Sequence, residues 1–113
     1  MNNVLLKIAW EAAEAKKATQ PVILDLNGVS GVTDYFLVCS GNTPVQVRAI
    51  ADHICDQLLE AGMAAPRKEG YSEGRWILLD CGEVIIHILH QNERDFYCLE
   101  KLWHDAKTVE ILS

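Results

Sequence analysis

The sequence predicts an α/β fold in which helices flank one mixed sheet of about five strands. Short β-branched runs bounded by Gly, Pro and Asp alternate along the chain with segments whose apolar residues recur every three or four positions. With 113 residues, of which 50% are hydrophobic and 23% charged, the chain has the size and composition of a globular domain with one core. We therefore expect a single sandwich domain over residues 1–113.

The first third of the chain is predicted to form a helix and then two strands. Residues 3–18 form the helix, and Pro21 ends the helical region. Residues 22–26 form the first strand and residues 35–40 the second, whose continuous apolar character predicts cover on both faces. The expected apolar stripe of the helix consists of Leu5, Ile8, Ala9 and Ala12.

A second, longer helix follows Gly41. Thr43 is its predicted N-cap, Pro44 its first residue and Gln46 the partner of Thr43 in a capping box, while Gly62 suits the C-terminal cap. Residues 63–75 are predicted to be a loop with a short edge strand near 67–70. The predicted buried stripe of this helix consists of Val47, Ile50, Ala51, Ile54 and Leu58.

The last third is predicted to contain two strands and a short helix. Residues 76–80 and 84–90 are the strands, joined by a tight hairpin at Cys81 and Gly82. If strands 35–40 and 76–80 lie parallel, the passage between them is a right-handed crossover. The helix places Phe96, Leu99 and Trp103 on one face, with Asn92 as its cap. The pattern of Thr108 to Leu112 fits either a short edge strand or a frayed end.

Charge and composition exclude several classes of protein. No apolar run approaches the roughly 20 residues of a membrane helix, and the N-terminus lacks the pattern of a signal peptide, so we expect a cytoplasmic protein. The net charge of −6 argues against direct, sequence-specific binding of nucleic acid and favours a basic protein partner. Four cysteines without a C-x-x-C pair are expected to be core residues, namely Cys39, Cys55, Cys81 and Cys98.

A nucleotidyltransferase-like or nucleotide-binding enzyme is the alternative to an interaction protein. Such an enzyme needs a Gly-Ser loop before a helix and two carboxylates at Asp-x-Asp spacing for Mg²⁺. Ser40-Gly41 stands at a strand-to-helix turn, which suits either an anion or simple helix capping. The carboxylate pair is missing, because Asp25-x-Asn27 has one charge. His87 and His90 are three apart on a strand and therefore cannot share a metal, so we expect neither a metal nor a cofactor.

Aromatic residues and Arg are concentrated near the C-terminal end. Trp, Tyr and Arg dominate the energetics of protein interfaces, and Trp76, Arg94, Tyr97 and Trp103 lie within one third of the chain. His87 is expected to be a hydrogen-bonded core or interface residue. Acidic neighbours would set orientation and on-rate toward a basic partner. These acidic residues are Asp34, Asp80, Glu83, Glu93 and Glu100.

Motif residues in the chain keep a characteristic order and spacing over about residues 4–103. One stretch reads Thr33-Asp34-Tyr35-Phe36-Leu37-Val38-Cys39-Ser40-Gly41, then Gln46-Val47-x-Ala49-Ile50-Ala51-Asp52. The other reads Trp76-Ile-Leu-Leu-Asp80-x-Gly82-Glu83-Val-Ile-Ile-His87-Ile, then Arg94-x-x-Tyr97-x-Leu99-Glu100-x-Leu102-Trp103. This pattern resembles the ribosomal silencing factor family, also called Iojap-like.

The resemblance implies a fold similar in outline to the nucleotidyltransferases, but a protein without catalysis or cofactor. It implies binding to the large ribosomal subunit through its protein fourteen, where the small subunit docks, so that subunit joining is blocked and translation repressed. It also implies a homodimer in the free state, which agrees with the surplus of apolar strands and aromatics. The expected partner-binding residues are Trp76, Asp80, Glu83, His87, Arg94, Tyr97, Glu100 and Trp103.

Overall fold

A computed structural model describes residues 4–27, 33–97 and 107–109. In chain order, the elements are α1 (Val4–Ala15), β1 (Thr19–Asp25), β2 (Tyr35–Gly41), α2 (Pro44–Glu60), β3 (Arg67–Glu69), β4 (Trp76–Asp80), β5 (Val84–His90), α3 (Gln91–Tyr97) and β6 (Lys107–Val109). The strands form one mixed sheet in the order β3-β4-β5-β2-β1-β6. The predicted α/β sandwich is confirmed. The tail, which the sequence left open, supplies a sixth strand that pairs antiparallel with β1.

The parallel pair β2 and β5 forms the centre of the sheet. Every residue of β2 from Tyr35 to Gly41 has a partner in β5, and Val38 lies beside His87. The condition for a crossover between β2 and β4 is not met, because β4 pairs antiparallel with β5 and the strand parallel to β2 is β5. The hairpin β4–β5 causes this difference by bringing the later strand into the central position.

Helices α1 and α2 cover one face of the sheet, which we call the first face. The predicted stripe of α2, from Val47 to Leu58, is confirmed, since all five of its residues are buried. The predicted stripe of α1 is partly wrong: Leu5 and Ile8 are half-buried, whereas the buried residues of α1 are Leu6, Ala9, Ala12 and Ala13. These residues lie in the same buried cluster as the stripe of α2, so the buried face of α1 is displaced by about one position from the predicted stripe.

Both ends of α2 are closed by the predicted residues. Thr43 Oγ1 accepts a hydrogen bond from the Gln46 amide at 3.0 Å. The Gln46 side chain accepts from the Asn42 amide at 2.8 Å and donates to the carbonyls of residues 16 and 17, just after α1. At the other end, Gly62 has φ +82° and its amide bonds to Leu59, in the paired arrangement typical of glycine caps.

Three local predictions around β1 and β5 need correction. Pro21 lies inside β1 instead of ending the first helix, which stops at Ala15. The two central residues of the hairpin are Gly82 and Glu83, because the Cys81 amide bonds to the Val84 carbonyl at 2.9 Å. Asn92 is also not the cap of α3, because α3 follows β5 directly. The Asn92 amide instead donates a hydrogen bond to Nδ1 of His90 at 3.1 Å.

No helix in the described part of the chain is both long and apolar enough to cross a membrane.

We expect Gln46→Ala to lower the free energy of unfolding by about 1–2 kcal/mol, because it removes a capping interaction and the bonds that join α1 to α2. Urea denaturation measures the change. Gln57→Ala on the same helix is the matched control, since the Gln57 side chain donates to Glu60, one turn away on the same helix, in an exposed position. Equal losses for the two variants would contradict the linking role of Gln46.

Candidate partner-binding site

Several of the predicted partner-binding residues lie on the side of the sheet opposite α1 and α2, which we call the second face. Side chains alternate along a strand, so the registers of β4, β5 and β2 assign residues to this face. Its buried apolar centre is formed mainly by β1 and β2. On the three strands β2, β4 and β5 the second face carries Phe36, Val38, Ser40, Trp76, Leu78, Asp80, Ile85, His87 and Leu89.

Trp76 and His87 form one unit on this face. The indole Nε1 of Trp76 donates a hydrogen bond to Nδ1 of His87 at 3.1 Å. The His87 ring also lies edge-on to Phe36, with ring centroids 4.4 Å apart. Trp76 is half-buried whereas His87 is 6% exposed. The buried His87 ring therefore fixes the orientation of a tryptophan that reaches the surface.

The bond to Trp76 fixes the tautomer of His87, and burial keeps its ring neutral. An indole N–H can only donate, so Nδ1 must be the acceptor and the ring proton of the neutral imidazole lies on Nε2. Burial lowers the pKa of His87 from its ordinary 6.5 to about 4. Among the described residues, Nε2 of His87 is buried without a hydrogen-bond partner. The side chain is therefore neutral at physiological pH.

The surface around Trp76 is apolar, and carboxylates lie at one end. Leu78 and Ile85 are half-buried, as Trp76 is. Asp80 lies on the same face four residues from Trp76, about 13 Å along the strand, and its Oδ1 accepts from the Gly82 amide at 2.9 Å. Glu83 is exposed in the adjoining turn. Apolar side chains with an acidic border form the arrangement expected of a protein interface.

Arg94 lies inside the protein, so we do not retain it as a partner contact. Its side chain is 6% exposed. Nη1 of Arg94 donates to Ser40 Oγ at 2.8 Å and to the carbonyls of Gln20 and Thr19 at 2.7 and 3.2 Å. A guanidinium held by three internal acceptors from two strands has a structural role in the free protein.

The structure also assigns an ion-pair partner to Glu93, near the start of α3. Glu93, expected to be an acidic neighbour of the site, lies 3.6 Å from the exposed guanidinium of Arg75. This ion pair joins α3 to the residue just before Trp76.

Asp34, which directly precedes β2, is exposed. Its amide donates a hydrogen bond to the Glu83 carbonyl at 2.9 Å. Of the expected acidic border, Asp34, Asp80 and Glu83 therefore lie at the same end of the sheet.

The remaining predicted site residues lie at or beyond the end of α3. Tyr97 is the last residue of that helix. Glu100 and Trp103 lie outside the described residues, as do Leu99 and Cys98. Their partner contacts stay predictions from the sequence.

The features that suggested an enzyme each have a structural role. Ser40 is fully buried and its hydroxyl accepts from Arg94. A side chain at Gly41 would meet Val47 at 3.1 Å, so this glycine permits close packing of the strand end against α2. Asp25 Oδ1 accepts from the backbone and side chain of Asn27 at 2.9 and 2.8 Å, which is a turn and not a metal site.

The described thiols and potential metal ligands show no feature of a reactive or metal-binding site. Cys39, Cys55 and Cys81 are free cysteines. Burial raises the pKa of each, to about 12 for Cys39 and about 11 for Cys81, so their thiols stay protonated. Within the described ranges, no group of three or more His, Cys, Asp or Glu side chains could hold a metal ion.

Sequence reasoning missed Leu78 and Ile85 as members of the site. Both lie in continuous apolar runs, which we expected to be buried without distinction between faces. The period of two from Trp76 through Leu78 to Asp80 was the available signal, because it places these three side chains on one face. Gln20 was also missed, since a backbone carbonyl leaves no signal in the sequence.

Comparison with known proteins gives consistent results. The sequence matches the family described as "Ribosomal silencing factor during starvation" over residues 2–113. A protein named ribosomal silencing factor from Halalkalibacterium halodurans is 46% identical over 110 residues, which cover 97% of this chain and 94% of that protein. A protein of the same name from Bacillus subtilis is 47% identical over 107 residues, which cover 95% of this chain and 91% of that protein. A crystal structure from Chromobacterium violaceum has a TM-score of 0.85 at 31% identity, with 96% and 91% covered.

The buried, neutral His87 predicts loss of stability in acid. Between its unfolded pKa of 6.5 and its folded pKa of about 4, the unfolded chain binds a proton that the folded protein does not. Stability is therefore lost as the pH falls through this window, by on the order of 3 kcal/mol from this residue. Urea denaturation at several pH values between 7 and 4 measures the loss.

His87→Gln tests the source of this pH dependence, because glutamine can accept from Trp76 but does not titrate. We expect it to flatten the fall in stability between pH 6.5 and 4, whatever its stability at pH 7. Gln57→Ala on α2 removes no titratable group and serves as the control, which should keep the slope of the parent protein. If the stability of His87→Gln falls with pH as steeply as that of the parent protein, His87 is not the source of the pH dependence.

Proposed function

This chain belongs to the ribosomal silencing factor family, and from that premise we propose that it binds the large ribosomal subunit through protein fourteen and thereby prevents the small subunit from joining. The family match covers nearly the whole chain, so the proposal concerns the entire domain and not a shared fragment. The observation that best supports a binding role is the half-buried Trp76, held in place by His87 on the second face.

The second face has the properties of a hot spot for protein binding. Trp76, Leu78 and Ile85 offer apolar area that a partner can cover, and the bond from Trp76 to His87 reduces the entropy lost when the indole is immobilised. Asp80 and Glu83 at one end, together with the net charge of −6, suit a basic partner. Ribosomal proteins are basic as a class, so the charge complementarity favours a protein component of the ribosome.

The proposed mechanism is steric and requires no chemistry. A protein bound where the two subunits meet occupies the volume that the small subunit needs, so translation is repressed for as long as the complex lasts. Slow dissociation is then the property that determines repression. We accordingly propose a cytoplasmic, non-enzymatic factor. The structural roles of Ser40, Gly41 and Asp25 support this choice over a nucleotide-binding enzyme.

The free protein is proposed to form a homodimer. The half-buried apolar side chains of the second face provide area that a second copy can cover in the absence of the ribosome. Light scattering at increasing concentration should show the mass of a dimer, about 25 kDa for a chain of 12.6 kDa. A constant monomer mass up to the highest soluble concentration would contradict this proposal.

We expect the purified protein to co-sediment with isolated large subunits and not with small subunits. When it is added before the subunits are mixed, the fraction of joined ribosomes on a sucrose gradient should fall as its concentration rises. Unchanged joining at saturating protein would contradict the proposed function. A nucleotide bound by the protein without any subunit binding would support the enzyme alternative.

A charge reversal tests where the partner binds. Glu100→Lys should weaken binding to the large subunit by about 1–3 kcal/mol, because a lysine placed against a basic partner is repelled. Folding should stay near normal, since the sequence pattern predicts that Glu100 faces solvent and a single surface charge contributes little to stability. Glu11→Lys, on the exposed side of α1, makes the same charge change far from the second face and should bind like the parent. Equal binding by both variants would place the interface elsewhere.

A further inference from the structure

The guanidinium of Arg94 connects α3 to two strands that lie far from it in the sequence. One nitrogen, Nη1, is within hydrogen-bond distance of three oxygens: the Gln20 carbonyl at 2.7 Å, Ser40 Oγ at 2.8 Å and the Thr19 carbonyl at 3.2 Å. The Arg94 side chain is 6% exposed and Ser40 is fully buried. Arg94 is thus the point at which α3 is attached to β1 and β2.

The backbone of β1 is shaped to receive this side chain. Its register with β2 shifts between Thr19 and Val22, and Gln20 inside the shift has φ +46°. A residue other than glycine adopts this left-handed conformation only at a free-energy cost. The Gln20 side chain is exposed, so the conformation does not serve to bury it. Its visible consequence is that two successive carbonyls face Nη1 of Arg94.

The bulge and the arginine depend on each other. A buried guanidinium needs several hydrogen-bond acceptors to replace the water it has lost. A regular strand would direct the carbonyls of neighbouring residues to opposite sides, and only one of them could reach Nη1. The bulge brings both carbonyls to the same side, and Arg94 in turn stabilises the otherwise unfavourable conformation of Gln20.

We infer that Arg94 is a positioning residue, whose contacts with the Gln20 bulge and Ser40 fix the direction of α3 and therefore the position of its last residue, Tyr97, a predicted partner contact. This inference rests on the proposed function. A helix of seven residues has little stability of its own, so its direction is set by what holds it to the sheet. Arg94 is buried, so in this inference it acts through the helix that it holds and not by direct contact.

The exposed side chain of Gln20 permits a test that leaves Arg94 intact. Gln20→Val places a β-branched residue where the left-handed conformation is strongly disfavoured, so β1 should straighten and withdraw its carbonyls. Gln20→Gly is the matched control, because glycine adopts φ +46° without strain and keeps both carbonyls in place. Arg94→Gln removes the guanidinium itself, and Arg94→Lys keeps a positive charge with three donors.

Two quantities are measured for each variant below its melting temperature. The first is the affinity for isolated large subunits, and the second is hydrogen exchange of the α3 amides, residues 91–97, relative to those of α2. We expect Gln20→Val and Arg94→Gln each to weaken binding by about tenfold and to speed exchange in α3 selectively. Gln20→Gly should match the parent in both, and Arg94→Lys should recover part of the loss. The double variant that combines Gln20→Val with Arg94→Gln should lose no more affinity than Arg94→Gln alone, because both changes break the same contact.

Several results would overturn the inference. Parent-like exchange in α3 for both Gln20→Val and Arg94→Gln would show that the helix is held by other contacts. Faster exchange with unchanged affinity would show that the attachment is structural only, and additive losses in the double variant would show that Gln20 and Arg94 act separately. If the parent protein itself does not bind large subunits, the proposed function fails, while hydrogen exchange still decides whether Arg94 positions α3.

Discussion

The parallel pairing of β2 with β5 is the constraint on which the rest of the structure depends. Both strands lie in the middle of the sheet, and most of their side chains are buried on the two faces. Because parallel neighbours need a long connection, the chain between them must supply α2, β3 and β4. That connection places α2 on the first face. The helix that follows β5 attaches to the second face, through the bond from Arg94 to Ser40.

The two faces of the sheet are therefore built for different purposes. The first face is closed by α1 and α2, whose small and branched side chains form a continuous buried core. On the second face, Phe36 and Val38 of β2 are buried, whereas Trp76 and Leu78 of β4 are half-buried. His87 lies at the border between these regions. Its neutral ring keeps a polar contact with Trp76 without placing a charge in the core.

The residues at the end of β2, where the sequence suggested a phosphate-binding turn, are committed to structure. Gly41 allows the end of β2 to pack against Val47, and the amides that follow it are used by Thr43 and Gln46. An anion arriving at this turn would compete with bonds already made. The described surface offers apolar area and carboxylates instead, which are features of protein interfaces.

The sequence by itself determined the elements whose signals are local. The caps and buried stripe of α2 and the limits of β4 and β5 follow from residues within one or two turns of each other, and the structure confirms them. The motif spacing likewise sufficed to identify the family. Tertiary structure alone decided that Arg94 is internal, since its acceptors lie 54 to 75 residues away and two are backbone carbonyls. It also decided that β5, and not β4, lies parallel to β2, because pairing between distant strands depends on which surfaces meet in the folded chain, and a local pattern does not record that.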